Sequence, residues 1–251
     1  MALTEKARAN HDKLLSNYQS ALQGTDPEFI ENFDNFAFDQ VLSNSTLDDR
    51  SRMLITLASL IANRSLAEYK IMLVGAMNLG VTPVEMKEVL YQSLAYVGLA
   101  VSFGFFEATN SFLREKGIKL PLQKQNTVAY ENQLEKGLDK MYEIFGKDFI
   151  DAMRESFPGD QKHFMDFIQG YCFGGYYTRS GLSVQNRELI SFAFLASLGG
   201  CEAELRPHTQ GNLNVGNDRK TLISAITVLC PYIGFPKTLN ALAIVNEICG
   251  K

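Results

Sequence analysis

The sequence contains an internal repeat: residues 29–98 recur as residues 164–234. The early part of the window aligns at an offset of 135 and the later part, after one inserted residue, at an offset of 136. The positions of the later part that are identical in both copies are Ala67, Glu68, Gly75, Asn78, Gly80, Tyr96 and Gly98, matched by Ala203, Glu204, Gly211, Asn214, Gly216, Tyr232 and Gly234. Composition alone would give about two identities there, and three of the seven are glycines, which mark backbone requirements. The sequence therefore predicts a duplicated domain.

The length and the linker signals place the boundary between the copies. A chain of 251 residues with 46% hydrophobic residues can bury two cores. Gly117, Pro121 and several polar residues make the segment 116–125 the best candidate linker. We expect an N-terminal domain over residues 1–122 and a C-terminal domain over residues 123–251.

Helical periodicity dominates, so the predicted fold class is all-α. Asp48 and its counterpart Ser183 are capping residues before a nearly all-round apolar helix in each copy. Gly80 and Gly216 mark the ends of the next helices. The predicted later helices are 82–98 and its counterpart 218–229, which we expect to end at the turn 230–234. Further helices are predicted at about 3–22, 99–115, 127–156 with a break near Gly146, 160–176 and 237–248.

Composition narrows the class of partner and compartment. The net charge of −4, with scattered Lys and Arg residues, argues against a nucleic-acid partner. The first residues lack an apolar leader segment, and no uninterrupted apolar stretch reaches bilayer length, so we expect no membrane partner and a cytoplasmic protein. The four cysteines lack CxxC spacing, which suits reduced, buried thiols better than disulfides or zinc.

The copies differ where chemistry is most plausible. Ser65, Glu68 and Met72 of the first copy become Cys201, Glu204 and His208 in the second, so only the second carries ionisable side chains at all three positions. This spacing predicts that the three side chains lie within about 60° on one face of a helix and share a pocket. The sequence therefore places the candidate active site in the C-terminal copy and a degenerate site in the N-terminal one.

Each candidate residue has a chemical and a structural interpretation. Cys201 follows two glycines near a predicted helix N-terminus, which would favour a thiolate, although a lone cysteine is more often a small buried residue than a nucleophile. His208 is predicted to pair with Glu204 four residues earlier, either as an acid/base residue or as a satisfied core histidine. Glu188, on the preceding helix, could reach the same pocket or serve as a first-turn helix charge. Pro207 is expected to kink the helix between Glu204 and His208.

These motifs together resemble those of the carboxymuconolactone decarboxylase family, which also contains the alkylhydroperoxidase D proteins. The motifs that carry the resemblance lie within 187–236 of the second copy and 52–98 of the first, and the resemblance covers about residues 183–248 and 47–115, roughly half of the chain. It implies two tandem alkylhydroperoxidase D-like helical domains. In the alkylhydroperoxidase branch, an upstream Glu precedes Cys-x-x-Cys-x-x-x-His, and Glu188, Cys201 and His208 match this pattern. Glu204 stands at the second cysteine position, which argues against disulfide-cycling peroxidase chemistry.

The resemblance implies a function and an assembly. The leading hypothesis is cofactor-free decarboxylation of a small lactone or keto-type carboxylic acid, with His208 as proton donor tuned by Glu204 or Glu188, and Arg206 binding the substrate carboxylate. One alternative is an alkylhydroperoxidase-like oxidoreductase with Cys201 as a single reactive thiol and His208 as base. Another is a helical scaffold that binds without turnover. Family members form rings of subunits, so we expect a homotrimer of about 84 kDa, three times the chain mass of 28.0 kDa.

Overall fold

The structure is a computed structural model that describes residues 2–16 and 18–250. Within these residues every secondary-structure element is a helix, which confirms the all-α prediction. The α-helices are α1 (Glu5–Leu14), α2 (Pro27–Asn35), α3 (Asp49–Ala62), α4 (Leu66–Asn78), α5 (Pro83–Glu115), α6 (Gln133–Phe145), α7 (Lys147–Ser156), α8 (Lys162–Phe167), α9 (Val184–Leu198), α10 (Glu202–Asn214) and α11 (Arg219–Cys249). Two π-helical segments lie at Phe36–Val41 and Ile168–Tyr177, and short 3₁₀ turns lie at Ala21–Gly24, Tyr130–Asn132 and Gly159–Gln161.

The internal repeat is visible as a repeated order of elements. In each copy a short helix leads into a π-helical segment, followed by a buried helix, a second helix and a long kinked helix. The first copy uses α2, α3, α4 and α5 for this series, and the second copy uses α8, α9, α10 and α11. The structure therefore contains the tandem helical units predicted from the sequence.

The two copies share one hydrophobic core. The central helices α3 and α9 pack against each other, and their buried residues run almost without interruption over 53–62 and 187–197. Ser197 donates a buried hydrogen bond of 2.8 Å to Ser59 between them. The long helix of each copy also packs against the central helix and the π-helical segment of the other copy. The boundary at 122/123 stays a prediction, because the core is continuous across it.

Local sequence signals account for most helix ends. Asp48 and Ser183 accept N-cap hydrogen bonds from Ser51 and Asn186, as predicted. Thr82 and Glu85 form a reciprocal capping box at the start of α5, where Pro83 is the first helical residue. The break near Gly146 is confirmed between α6 and α7, and the segment 118–129 is free of helix, as expected of a linker.

The predicted stop of the last helix at residue 229 is wrong. Helix α11 continues through Pro231, and its backbone breaks at Gly234, where φ is 76° and ψ is 163°. Gly98 breaks α5 in the same way, with φ of 70° and ψ of 171°. Proline removes one helical hydrogen bond, and the burial of Leu229 and Ile233 on either side offsets this loss. Only glycine readily adopts the backbone conformation at the breaks, so the glycines set the bends.

Two other predicted helices have different bounds. The helix predicted over 3–22 ends at Leu14, and Asn17 within that range lies outside the described residues. The helix predicted over 160–176 changes after Phe167 into the π-helical segment. Widened turns of this kind recur near functional sites in proteins, and this one ends at Tyr177.

Close backbone contact fixes the position of this second π-helical segment. A Cβ atom at Gly137 of α6 would lie 1.8 Å from the carbonyl oxygen of Gln169, and one at Gly174 would lie 2.0 Å from that of Gln133. The two glycines therefore allow α6 and the segment to touch through their backbones. This contact, with a small cluster of buried residues around Met141 and Ile144, places Phe173 and Tyr177 beside α9 and α10.

Helices α5 and α11 are long and apolar enough to cross a membrane by length and composition alone. Both are bent at a glycine and bury residues such as Leu90 and Leu229 in the shared core. Core helices share these features. The expectations of no membrane partner and of a cytoplasmic location stay predictions.

Candidate active site

A buried carboxylate and a histidine form the centre of the candidate site. Glu188 of α9 is fully buried, and its Oε2 atom lies 2.9 Å from Nδ1 of His208 on α10. The His208 side chain keeps 13% of its surface exposed. The histidine is thus held by a carboxylate on one ring nitrogen and reaches the protein surface at its edge. This is the arrangement that a general acid or base needs.

A chain of hydroxyl groups leads to the other oxygen of Glu188. The Tyr177 hydroxyl donates to Oε1 of Glu188 at 2.7 Å and lies 2.5 Å from Oγ of Ser191. Because the single Tyr177 proton is used on Glu188, Ser191 is the donor in this second bond. The hydroxyl of Tyr96 donates in turn to Ser191. The donors therefore all point toward Glu188.

The first copy supplies part of this chain. Tyr96 belongs to α5, and Gln92 on the same helix donates to Oγ of Ser191 at 2.8 Å and to the carbonyl oxygen of Arg187 at 2.8 Å. Tyr96 also stacks on Phe194, with ring centroids 5.1 Å apart. The site is therefore built from both copies, although its carboxylate and imidazole come from the second.

A buried ion pair continues the network along α5. Glu88 is 1% exposed and accepts hydrogen bonds from Arg187 at 2.8 Å and from Arg179 at 2.7 Å. Arg187 is itself completely buried and donates to Oε1 of Gln92 at 3.2 Å. The buried charge of Glu88 is therefore paired with two cations.

Aromatic rings and a glycine enclose the imidazole. The rings of Phe145 and His208 meet edge to face, with centroids 5.2 Å apart, and Tyr96 lies 6.2 Å away. A Cβ atom at Gly211, one turn after His208, would lie 2.8 Å from Oε2 of Glu188, so this position must stay small. Asn212 ties the helices together through the backbone carbonyls of Glu188 and His208.

Burial keeps the neighbouring tyrosine hydroxyls and one cysteine thiol protonated. It raises the pKa values of Tyr96 and Tyr177 well above that of a free tyrosine, and the nearby Glu188 charge adds to both shifts. Burial also raises the pKa of Cys172 to about 12, again with a contribution from Glu188. The two hydroxyls therefore act as hydrogen-bond donors at neutral pH, and Cys172 stays a thiol.

Cys201 lies apart from this pair. It is the residue before α10, with a non-helical backbone, and its sulfur approaches the carbonyl oxygen of Gly199 at 3.6 Å. Burial, together with the charges of Glu204 and Glu202, raises its pKa. This shift is opposite in direction to the lowered pKa expected for a thiol at a helix N-terminus.

Glu204 and Arg206 are also outside the cluster. Glu204 is exposed, and His208 pairs with Glu188 instead, because Glu188 faces α10 from the packed helix α9. Arg206 is exposed and bonds Glu247 on α11 at 2.9 Å. The predicted common pocket of Cys201, Glu204 and His208 is therefore not formed: the i, i+3, i+7 argument required Cys201 to be helical.

The equivalent place in the first copy is apolar. The counterparts of Glu188 and His208 at the duplication offsets are Met53 and Met72, both buried. Tyr177 is replaced there by Leu42, whereas Tyr96 is matched by Tyr232. Methionines fill space without ionising, so only one of the two duplicated positions can transfer protons.

Some members of the network have no motif in the sequence. Ser191 follows Glu188 by three residues and Gln92 precedes Tyr96 by four, spacings that put each pair on one helix face. Such spacings are common, so they indicate a shared face and not a shared site. Nothing local marks Tyr177 or Cys172, which reach the site through the packing of the π-helical segment. Within the described residues, no group of three or more His, Cys, Asp or Glu side chains is placed to hold a metal ion.

Comparisons with known proteins agree with the duplicated architecture. The family model for the carboxymuconolactone decarboxylase family matches twice, at residues 27–110 and 162–247. The 4-carboxymuconolactone decarboxylase of Acinetobacter baylyi is 28% identical over 118 residues, covering 47% of this chain and 87% of that protein. A crystal structure from Burkholderia xenovorans LB400, provisionally assigned as a gamma-carboxymuconolactone decarboxylase subunit, has a TM-score of 0.53 and 18% identity, covering 96% of this chain and 95% of that one. At this identity the structural likeness concerns the fold.

Proposed function

The chain belongs to the carboxymuconolactone decarboxylase family, and from this premise we propose that it is a lyase that removes CO₂ from a small lactone or keto-type carboxylic acid, using its own side chains for acid/base chemistry. The observation that carries the proposal is the pairing of His208 with the buried Glu188. The Acinetobacter relative, whose name specifies a lactone acid as substrate, supports the substrate class.

The proposed step moves one proton. As the bond between the substrate carbon and its carboxylate breaks, CO₂ leaves, and the bonding electrons remain on carbon as an enolate-like carbanion. Protonated His208, held through Nδ1 by Glu188, delivers the proton on Nε2 to that carbon and forms the new C–H bond. Glu188 stabilises the charged imidazole before transfer and orients the ring. The histidine regains its proton from solvent through its exposed edge.

The hydroxyl chain holds the Glu188 carboxylate in place in the proposed mechanism. Tyr177 donates to Oε1 and His208 occupies Oε2, so both oxygens have partners without contact with water. These two contacts fix the position of the carboxylate beside the imidazole. Tyr177, Ser191 and Tyr96 are therefore positioning residues.

Arg206 loses support as the group that orients the substrate carboxylate. It pairs with Glu247, and the partners of His208 within the described residues are Glu188, Phe145, Tyr96 and Asn212, none of them a cation. We infer that the small-molecule substrate enters at the exposed edge of His208 and that a neighbouring chain of the expected homotrimer completes the pocket. The thiol alternative loses support, because Cys201 contacts neither His208 nor Glu188 and its pKa is raised.

A decarboxylation assay tests the proposal. CO₂ release from 4-carboxymuconolactone is measured for the wild type and for His208→Ala and Glu188→Gln, with thermal unfolding recorded for each. We expect kcat to fall at least about 100-fold in His208→Ala, the scale of a lost general acid. Glu204→Gln is the matched control, because this exposed carboxylate lies outside the pair, and it should keep wild-type activity.

Two results would contradict the proposal. The first is a folded wild-type protein that releases no CO₂ from this acid or from related lactone and keto acids. The second is a folded His208→Ala variant that keeps wild-type kcat. Loss of activity in Glu204→Gln alone would return the acid/base role to Glu204.

A further inference from the structure

A groove lies at the surface between the copies, away from His208. It has a volume of about 570 Å³ and is walled by α5, by the linker residues 120–126 and by Arg179 at the end of the second π-helical segment. Glu88 and Glu188 belong to the same polar network, but Tyr96 follows Glu88 by eight residues, about 12 Å along a helix. A small molecule in this groove would therefore not reach the imidazole.

Positive charges outnumber negative charges in the lining of this groove. Its charged lining residues are Lys87, Arg114, Lys124, Arg179 and Glu88. The only carboxylate of the set is buried and already bonded to two arginines. Lys87 donates to Oδ1 of Asn110 at 2.8 Å, which accounts for one of its three N–H donors among the described residues. Burial lowers the pKa of Lys87, and the nearby Arg114 lowers it further, as expected of cations that share a site without a counter-charge.

The groove also has an apolar surface for a ligand body. The guanidinium of Arg179 lies 4.4 Å from the centroid of the Tyr91 ring, and Lys87 lies 5.9 Å from the same ring. Leu120, Pro121 and Leu122 also line the groove. A cation-lined groove with aromatic and aliphatic walls matches the chemistry of a small carboxylate that carries an apolar body.

The duplication supplies an internal comparison. The corresponding groove of the other copy has a volume of about 290 Å³, and its lining includes Ile223, Thr227 and Asn44, the counterparts of Lys87, Tyr91 and Arg179. Among the residues that the structure describes, none that lines this groove is charged. The fold alone therefore does not require cations here, since the equivalent helices pack without them.

We propose that the charged groove is a second binding site, for a small organic carboxylate with an aromatic or aliphatic body. Lys87 and Arg114 contact the carboxylate, Tyr91 and Leu122 contact the body, and Arg179 stays fixed to Glu88. This site is independent of the acid/base pair and of the proposed decarboxylation.

Calorimetric titration with phthalate, an aromatic dicarboxylate, tests the site. The proteins are the wild type, a groove variant with Lys87→Met and Arg114→Gln, and a control variant with Lys70→Gln and Lys220→Gln, which loses the same charge at exposed positions outside the groove. We expect one phthalate per chain and binding at least about tenfold weaker in the groove variant, because two charge-assisted contacts are removed. The control variant should bind like the wild type, and neutral phthalamide should not bind.

The His208→Ala variant separates this proposal from the proposed enzyme. Unchanged phthalate binding in that variant supports an independent groove, whatever its effect on CO₂ release. The proposal is overturned if the wild type does not bind phthalate, if the groove and control variants lose affinity equally, or if His208→Ala abolishes binding while the folded groove variant retains it. Thermal unfolding of the groove variant shows whether it is folded.

Discussion

His208 and Met72 occupy equivalent positions in two copies of one fold, and their surroundings differ as their side chains do. His208 has a carboxylate partner at 2.9 Å, whereas Met72 is 5% exposed and packs in the hydrophobic core. Sequence divergence between the copies singles out His208 as a candidate, and Glu188 is a candidate because it lies on the preceding helix, thirteen residues before Cys201. The sequence does not choose between Glu188 and Glu204 as the partner of His208, because that depends on how α9 packs against α10.

Replacing Met72 with alanine tests the role of the first copy. We expect Met72→Ala to destabilise the protein by about 2–5 kcal/mol, because a buried methionine leaves a cavity. CO₂ release per folded molecule should stay at the wild-type level. Chemical denaturation and a single-temperature assay measure the two effects. Loss of activity without loss of stability would show that the first copy takes part in the chemistry.

At the level of the helix, sequence signals located ends better than bends. Caps such as Asp48 and Thr82 act within a few residues, so the sequence alone predicts them. Pro231 was expected to end a helix, yet burial of the surrounding apolar side chains carries the helix past it to Gly234. Cys201 lies just before α10. The two glycines that precede it adopt a non-helical backbone, which hydrophobic periodicity does not predict.

The contact between α6 and the π-helical segment should tolerate no side chain. We expect Gly137→Ala to destabilise the protein by at least about 1–3 kcal/mol, the usual cost of overpacking, because its Cβ would overlap the backbone of Gln169. Gly159→Ala is the control, since no atom lies within 4 Å of a Cβ there. Thermal unfolding compares the two variants. Equal melting temperatures would mean that the helices separate without cost.

The first turn of α5 should make stability depend on pH. Burial raises the pKa of Glu85, but hydrogen bonds from Arg50 and Thr82 outweigh it, so the net pKa lies below the usual value. The ionised group therefore stabilises the fold above the unfolded-state pKa of about 4.3, and this contribution is lost as the pH falls through the lower folded-state value. Glu85→Gln should destabilise at neutral pH, with a difference from wild type that shrinks on acidification.

Urea denaturation at a series of pH values measures this difference. Glu107→Gln is the control, because Glu107 is exposed on the same helix. A Glu85→Gln deficit that stays constant from neutral to acidic pH would show that ionisation of Glu85 does not contribute.

On the scale of the whole molecule, the exposed apolar residues repeat with the duplication. Leu99 and Phe103 follow the bend in α5 and are 65% and 57% exposed, and their counterparts Phe235 and Leu239 follow the bend in α11 at 62% and 59%. Large apolar side chains exposed at equivalent positions are typical of a surface that is used twice in an assembly. They support the proposed homotrimer, in which each chain would contribute two similar surfaces.

Light scattering tests the assembly directly. We expect a mass of about 84 kDa, from three chains of 28.0 kDa. The double substitution Leu99→Glu and Phe103→Glu should shift the mass toward that of one chain, whereas Ser111→Glu, at an exposed polar position of the same helix, should not. A wild-type monomer at micromolar concentration would contradict the trimer and the completion of the pocket by a neighbour.

The delivery of Gln92 and Tyr96 by α5 to a carboxylate on α9 has an evolutionary consequence. After a duplication, a copy that loses its reactive groups is ordinarily free to drift or to be deleted. Here that freedom is restricted, because mutations of Gln92 or Tyr96 in the first copy change hydrogen bonds at the candidate site of the second copy. A gene shortened to either half would encode an incomplete site. Selection on the proposed reaction would therefore preserve both halves of the gene.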